Sequence, residues 1–418
     1  MIELKAIFQE ILSALGFTNL DRNQEMDILR CISTINVIIR HTFDDCIHPK
    51  KGHPVFKLCK FLSTFSDTCN SQFILISCMY LSKSLQKSYK LSRLIYILFT
   101  VYLIRILTYQ FKKEVTHDKK PMTKQELLLF LFPIHYQQYW YPFTYIFSYI
   151  FFADSFGGIF KNGKRKHLLC IFILIYLATI GTINHDVTIF HWNGGYNFHL
   201  FFLLFYIGSY LSYYPIKVHW IILFFLNLLT FYISFLGHYQ YFNEKNAYFP
   251  WLVKILNSTE FYSPLTVLFS VTLFLFFSNI KINCMIGKIF SYLAKFSLPI
   301  YAFHTNSYTW KIFMPGMRKI PPSNKFIIKF ISIRIWLIVS TTFKRYFLYY
   351  FLSNLLIFNR QYYKNLMNKI DSFFESSKNP ESNETSIPNT QLFQKMSQKE
   401  ERESSDNSYQ EIEYYSSY

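Results

Sequence analysis

The chain has 418 residues, 51% hydrophobic and 21% aromatic, with 16% charged residues and a formal net charge of +18. Such a charge invites a nucleic-acid partner. The Lys and Arg residues, however, sit in short clusters between apolar runs, as bases beside a membrane do, so no nucleic acid is expected.

Residues 1–25 include Glu3, Glu10, Asp21 and Arg22 and lack the long apolar core of a cleavable leader. They read as an N-terminal amphipathic segment, and the first membrane helix is expected to direct insertion. Ten apolar segments follow, at approximately 27–44, 68–85, 93–111, 138–154, 167–184, 197–213, 219–237, 263–280, 286–305 and 326–342. The predicted fold is therefore all-α: a polytopic integral membrane protein of about ten transmembrane helices over residues 26–358. The apolar segment 343–357, with Lys344 and Arg345, fits an interfacial position. Residues 359–418 form a charged, Ser/Asn-rich tail, acidic and poor in aliphatics from about 371, and read as disordered.

Loop charge sets the expected orientation. The turns at 83–93 and 161–166 are strongly basic, and Lys217 and Lys281 to Lys288 add to the same side in a ten-span scheme. That side is read as cytosolic, together with both termini; which membrane is involved stays open. The opposite loop at 238–262 holds the sequon Asn257-Ser258-Thr259. The basic loops at 112–124 and 311–325 run against the scheme. The cysteines show no Cys-x-x-Cys pair and no zinc spacing, so no metal is expected; Cys46 and Cys59 share one loop, which leaves a disulfide open.

The first span carries the candidate chemistry. Arg30 and His41 are separated by about three helical turns and project from nearly one face, with Asp27 and Asp44 close to that stripe. Ionisable groups inside a membrane are costly and commonly line a cavity where chemistry or transport occurs. Imidazole titrates near neutral pH, which makes His41 the candidate general base or, alternatively, a covalent carrier. Arg30 lies about 16 Å away along the helix, which suits the cytosolic mouth and a phosphate-bearing ligand. Asp27 is placed to orient Arg30, and Asp44 to orient His41. His304, at the far end of the ninth segment, is a second candidate to pair with His41 or orient an acceptor, or else a core histidine. Ser77 is a polar residue in an apolar span. Tyr139, Trp140 and Tyr141 can stack a sugar ring or form an interfacial belt. Arg105 lies within the third span, with a cavity-facing position expected.

The spacing Asp27-Ile28-Leu29-Arg30, ten residues, His41 resembles the opening of the acyltransferase-3 family of integral membrane acyltransferases. Further segments resemble that family in order, closest to its bacterial-type cell-surface polysaccharide O-acyltransferase branch. They are Ser71 to Ser77, Phe132-Pro133-Ile134 with Gln138 to Tyr141, Gly195-Tyr196-Asn197 with Leu204 to Tyr210, Tyr262 to Leu265, and Phe296 to Asn306. Cys78 stands where the family has the Gly of Ser-Gly, and Arg40 precedes His41 where relatives have an apolar residue or His. The resemblance implies an acetyl-CoA-dependent O-acyltransferase that moves an acyl group, most often acetyl, from acyl-CoA to a hydroxyl of a glycan or lipid-linked saccharide. His41, Arg30, Asp27 and His304 would then be catalytic, Arg30 and Ser77 would bind acyl-CoA, and Trp140 and Tyr139 the acceptor; no tightly bound cofactor is implied. A transporter or flippase would use the same buried Arg and His as a path, and a catalytically degenerate relative is the third reading. No repeat of broken helices supports a transporter.

Overall fold

The computed structural model describes residues 23–47, 49–50, 52–85, 91–117, 123–131, 141–150, 163–183, 198–238, 250–257, 263–282, 285–306 and 323–352, and isolated positions at 309, 312, 368, 369 and 372. The chain divides into two units, Met1–Tyr363 and Lys364–Tyr418. All elements below belong to the first, and among the described residues there is no strand.

The helices are α1 (Gln24–Cys46), α2 (Phe56–Ser66), α3 (Cys69–Leu85), α4 (Leu91–Thr116), α5 (Lys124–Leu131), α6 (141–150) and α7 (Gly163–Ile183). They continue with α8 (Phe198–Tyr213), α9 (Trp220–His238), α10 (Pro250–Asn257), α11 (Pro264–Asn279), α12 (Met285–Leu293), α13 (Ser297–His304) and α14 (Asn324–Leu352). Each of the ten apolar segments contains α-helix over most of its described residues. Two helices among those residues are long and apolar enough to cross a membrane, Trp220–Gly237 and Asn324–Tyr346. Leu200–Tyr213 and Pro264–Asn279 are apolar but shorter.

Local sequence explains several boundaries. Asn23 caps α1 by accepting from the Met26 N–H at 2.9 Å, and Glu25 and Asp27 place negative charge in the first turn. Thr123 and Glu126 form a reciprocal capping box at α5: the Thr123 hydroxyl accepts from the Glu126 N–H (3.2 Å), and the Glu126 carboxylate accepts from the Thr123 N–H (3.1 Å). Ser263, followed by Pro264, opens α11.

Two expectations need correction. The segment 286–305 is not one helix: α12 and α13 are separated by a 3₁₀ turn at Ala294–Phe296. Pro299 has no N–H for the carbonyl of Lys295, and its ring crowds that carbonyl, so an α-helix cannot run unbroken through this turn. The segment 343–357 is not separate either, because α14 continues through Leu352 as one helix. At 29 residues it is roughly 43 Å long, more than the thickness of a hydrocarbon core.

α1 and α3 run antiparallel at the centre. Arg40 pairs with Asp67 just before α3, Ser33 donates to Gln72 at 2.6 Å, and Arg30 lies over the Tyr80 ring at 5.6 Å. α3 also crosses α8 closely: a Cβ on Gly208 would sit 3.1 Å from the Cys78 Cβ and 3.1 Å from the Leu75 carbonyl oxygen. α9 and α11 are joined by a buried polar clasp in which Asn227 donates to the Thr272 carbonyl (3.1 Å) and the Thr272 hydroxyl donates to Asn227 Oδ1 (3.0 Å).

The basic turns gather at one end of this bundle. Lys164 lies over Tyr214 at 5.7 Å, the Val218 N–H donates to Asn279 at 3.1 Å, and the Ile282 N–H donates to Glu25 at 2.6 Å. The antiparallel α1–α3 pair brings the C-terminal end of α3 to that same end, beside the start of α1. Polarity is distributed inside out. Ser33, Asn36, Gln72, Ser270 and Arg105 are buried, while Phe172, Tyr176, Phe225, Leu229 and Trp336 are largely exposed. Cys59 is buried and free, so the disulfide left open with Cys46 is not formed.

Candidate active site

A cavity of about 520 Å³ opens between α1, α3, α4, α6 and the α12–α13 break. Three of its walls follow helical spacing. α3 contributes Asn70, Phe73, Ser77 and Tyr80, at i, i+3, i+7 and i+10, while α6 contributes Tyr141 and Tyr145 and α13 contributes Ser297, Leu298 and Tyr301. From Tyr80 to Asn70 the α3 wall extends roughly 15 Å.

Arg30 and Lys295 stand at one end, with Asn23. Arg30 is fixed by Asp27, whose Oδ1 accepts from Nη1 at 3.2 Å; the Asp27 side chain is fully buried and that of Arg30 is 19% exposed. A buried carboxylate therefore holds the guanidinium at the rim. Among the described residues no acidic side chain lines the cavity. Farther in, the Ser77 and Tyr141 hydroxyls share a hydrogen bond at 2.5 Å. The Tyr141 ring packs against Phe73 at 6.0 Å and Tyr301 at 6.1 Å, and Tyr301 meets His304 at 6.1 Å, nearly perpendicular.

His304 is fully buried. Its Nδ1 lies 2.8 Å from the Ile300 carbonyl oxygen, which can only accept. Nδ1 must therefore carry the proton, and in the neutral ring Nε2 keeps its lone pair. Nε2 has no hydrogen-bond partner among the described residues. The His41 ring meets the His304 ring edge-on at 5.5 Å. The helix break produces this arrangement by turning Lys295 to the cavity mouth and carrying His304 along α13 to His41.

Of the residues read from sequence, Arg30 and Ser77 line the cavity, Asp27 holds Arg30, and His41 and His304 form a pair beyond its inner wall. Tyr139 and Trp140, and the Asp44 side chain, lie outside the described residues. Arg105 is fully buried in α4 but is not among the lining residues. Cys78 faces the α8 crossing while its neighbour Ser77 faces the cavity, so the Cys at that position is a packing residue. Lys295 and Tyr301 were not singled out from sequence as site residues. A lysine inside an apolar segment was the available signal for the first.

Residues 22–120, about a quarter of the chain, match the family model described as heparan-alpha-glucosaminide N-acetyltransferase, catalytic. The match is to an acetyltransferase-type membrane family, and its name is not that of the acyltransferase-3 family. It takes in α1 to α4, with Arg30, His41 and Ser77; Tyr141, Lys295 and His304 lie beyond it. No curated protein matches the chain, and no solved structure does.

Proposed function

We propose that this protein is a multi-pass membrane acetyltransferase that moves an acetyl group from acetyl-CoA to a saccharide acceptor. The observation that carries this reading is a cavity whose described lining is cationic at one end and holds no acid, with aromatic walls that pack, through Tyr301, against a buried histidine pair just beyond its inner wall. Arg30 and Lys295 suit the phosphates of CoA, and the Phe73, Tyr80, Tyr141 and Tyr145 walls suit its narrow pantetheine arm. If the basic turns are cytosolic, as their charge suggests, that mouth would open toward cytosolic acetyl-CoA. The exposed apolar side chains on α4, α6, α7, α9 and α14 support lipid contact well beyond the two longest apolar helices.

In the transfer, His304 Nε2 accepts the proton of the attacking acceptor group, which adds to the thioester carbonyl carbon. The tetrahedral intermediate collapses with loss of the CoA thiolate, which takes the proton back from the imidazolium. His41 stands beside His304 to share or hold that proton. The acceptor atom is a hydroxyl in the acyltransferase-3 pattern and an amine in the name of the matched family; the same base serves both.

Membranes containing the full chain are to be incubated with radiolabelled acetyl-CoA and fractionated into glycan and lipid. Label is expected in a saccharide-bearing fraction with wild type and not with His41→Ala. Release by mild alkali would identify an ester, and resistance an amide. Equal labelling by wild type and mutant would remove the histidine pair from the reaction.

A further inference from the structure

The α12 segment lies beside the cavity mouth yet has no part in the chemistry. One face is locked onto the start of α1. Gly287 packs so closely on Gln24 that a Cβ there would clash, Ser291 is fully buried, and Cys31 donates to the Phe290 carbonyl at 3.4 Å. The opposite face is apolar and bare: Met285 is 77% exposed, Ile289 48% and Leu293 37%. Those three positions recur every fourth residue, with exposed Lys288 on the flank of the stripe and exposed Lys281 just before it. Neither lysine makes an ion pair among the described residues, and the sequence has no Asp or Glu anywhere from 261 to 370. Of the acids in the first turn of α1, Glu25 is engaged by the Ile282 N–H and Asp27 by Arg30.

An exposed apolar stripe edged by unpaired lysines, at the basic end of a membrane bundle, has the form of a helix lying in the interface. We propose that α12 lies along the bilayer surface at the cavity mouth and takes the phosphates of anionic phospholipids on Lys281 and Lys288, with Met285, Ile289 and Leu293 in the acyl boundary. This rests on the membrane reading above. It adds a lipid-binding surface that makes the mouth sensitive to the charge of the cytosolic leaflet, where anionic lipids concentrate.

The full chain, reconstituted into nanodiscs, is to be photolabelled with diazirine analogues of phosphatidylglycerol or phosphatidylcholine and the adducts mapped by mass spectrometry. Labelling of 281–293 by the phosphatidylglycerol analogue is expected to exceed that by phosphatidylcholine by about fivefold per lysine. It should fall to the phosphatidylcholine level in Lys281→Gln/Lys288→Gln and return in Lys281→Arg/Lys288→Arg. Equal labelling by the two lipids, or an excess that survives the Gln changes, overturns the proposal. So does absence of label on α12 while α9 is labelled, which would leave that face to a protein partner or a second copy. Absence of label on α9 and α14 as well would overturn the membrane reading itself.

Discussion

His304 shows how one backbone contact can fix the tautomer of a side chain. The Ile300 carbonyl fixes the proton on Nδ1 and turns Nε2 into an acceptor aimed away from its own helix. His304→Asn keeps a donor near Nδ1 but removes Nε2, so the loss should be that of a general base, roughly 10²–10⁴ in kcat. Retention of near wild-type kcat in a folded His304→Asn protein would show that Nε2 takes no proton. In the proposed reaction Arg30 and Lys295 would act at a different step. Each replaced by Ala should raise KM for acetyl-CoA about ten- to a hundredfold, the range for a hydrogen bond to a charged group, with little change in kcat. A defect confined to the saccharide acceptor would assign the two cations to the other substrate.

At the scale of elements, the close crossing of α3 and α8 depends on the absence of a side chain at Gly208. Small residues let membrane helices approach until their backbones touch, and that contact takes the place of hydrophobic burial as a source of packing energy. Gly208→Ala should push the Cys78 side chain and the Leu75 carbonyl aside and destabilise the protein by about 1–3 kcal/mol, read as a lowered Tm in detergent. Cys78→Gly should recover part of that loss when combined with Gly208→Ala, because it removes one of the two clashing atoms. Strict additivity of the two changes would place the strain elsewhere. At the far end of α4, Arg345 reaches Glu114 at 2.5 Å, and this hydrogen bond holds the Glu114 carboxyl below the ordinary carboxylate range. The Glu114 side chain is 61% exposed, so this pair is a weak tie between α4 and α14.

For the whole molecule, the gathering of basic turns at one end of the helices is a topological statement that labelling can check. In a cysteine-free background, single cysteines at Lys164 and Lys217 should react with an impermeant maleimide from the same side of the membrane. A cysteine at His53, past the other end of α1, should react from the opposite side. Reaction of all three from one side would mean that α1 does not cross. The inside-out distribution, with Ser33, Gln72 and Arg105 buried and Phe172, Phe225 and Trp336 facing outward, is what a bilayer solvent selects.

The sequence by itself marked the long apolar runs as helical, because runs of bilayer length bounded by basic turns leave little choice of element; it did not mark the short helices α2, α5 and α10 or the break inside 286–305. It also singled out Arg30 and His41, because their helical phase is a local property and an ionisable group in an apolar run is conspicuous. Only the tertiary structure decided what those residues face. The break at Ala294–Phe296 brings Lys295 to Arg30 and His304 to His41 across hundreds of residues of chain, and no local period encodes such a meeting. Ser77 and Cys78 carry the same lesson: adjacent in sequence, they project about 100° apart on one helix, and the positions of α6 and α8 put one into the cavity and the other into a helix crossing.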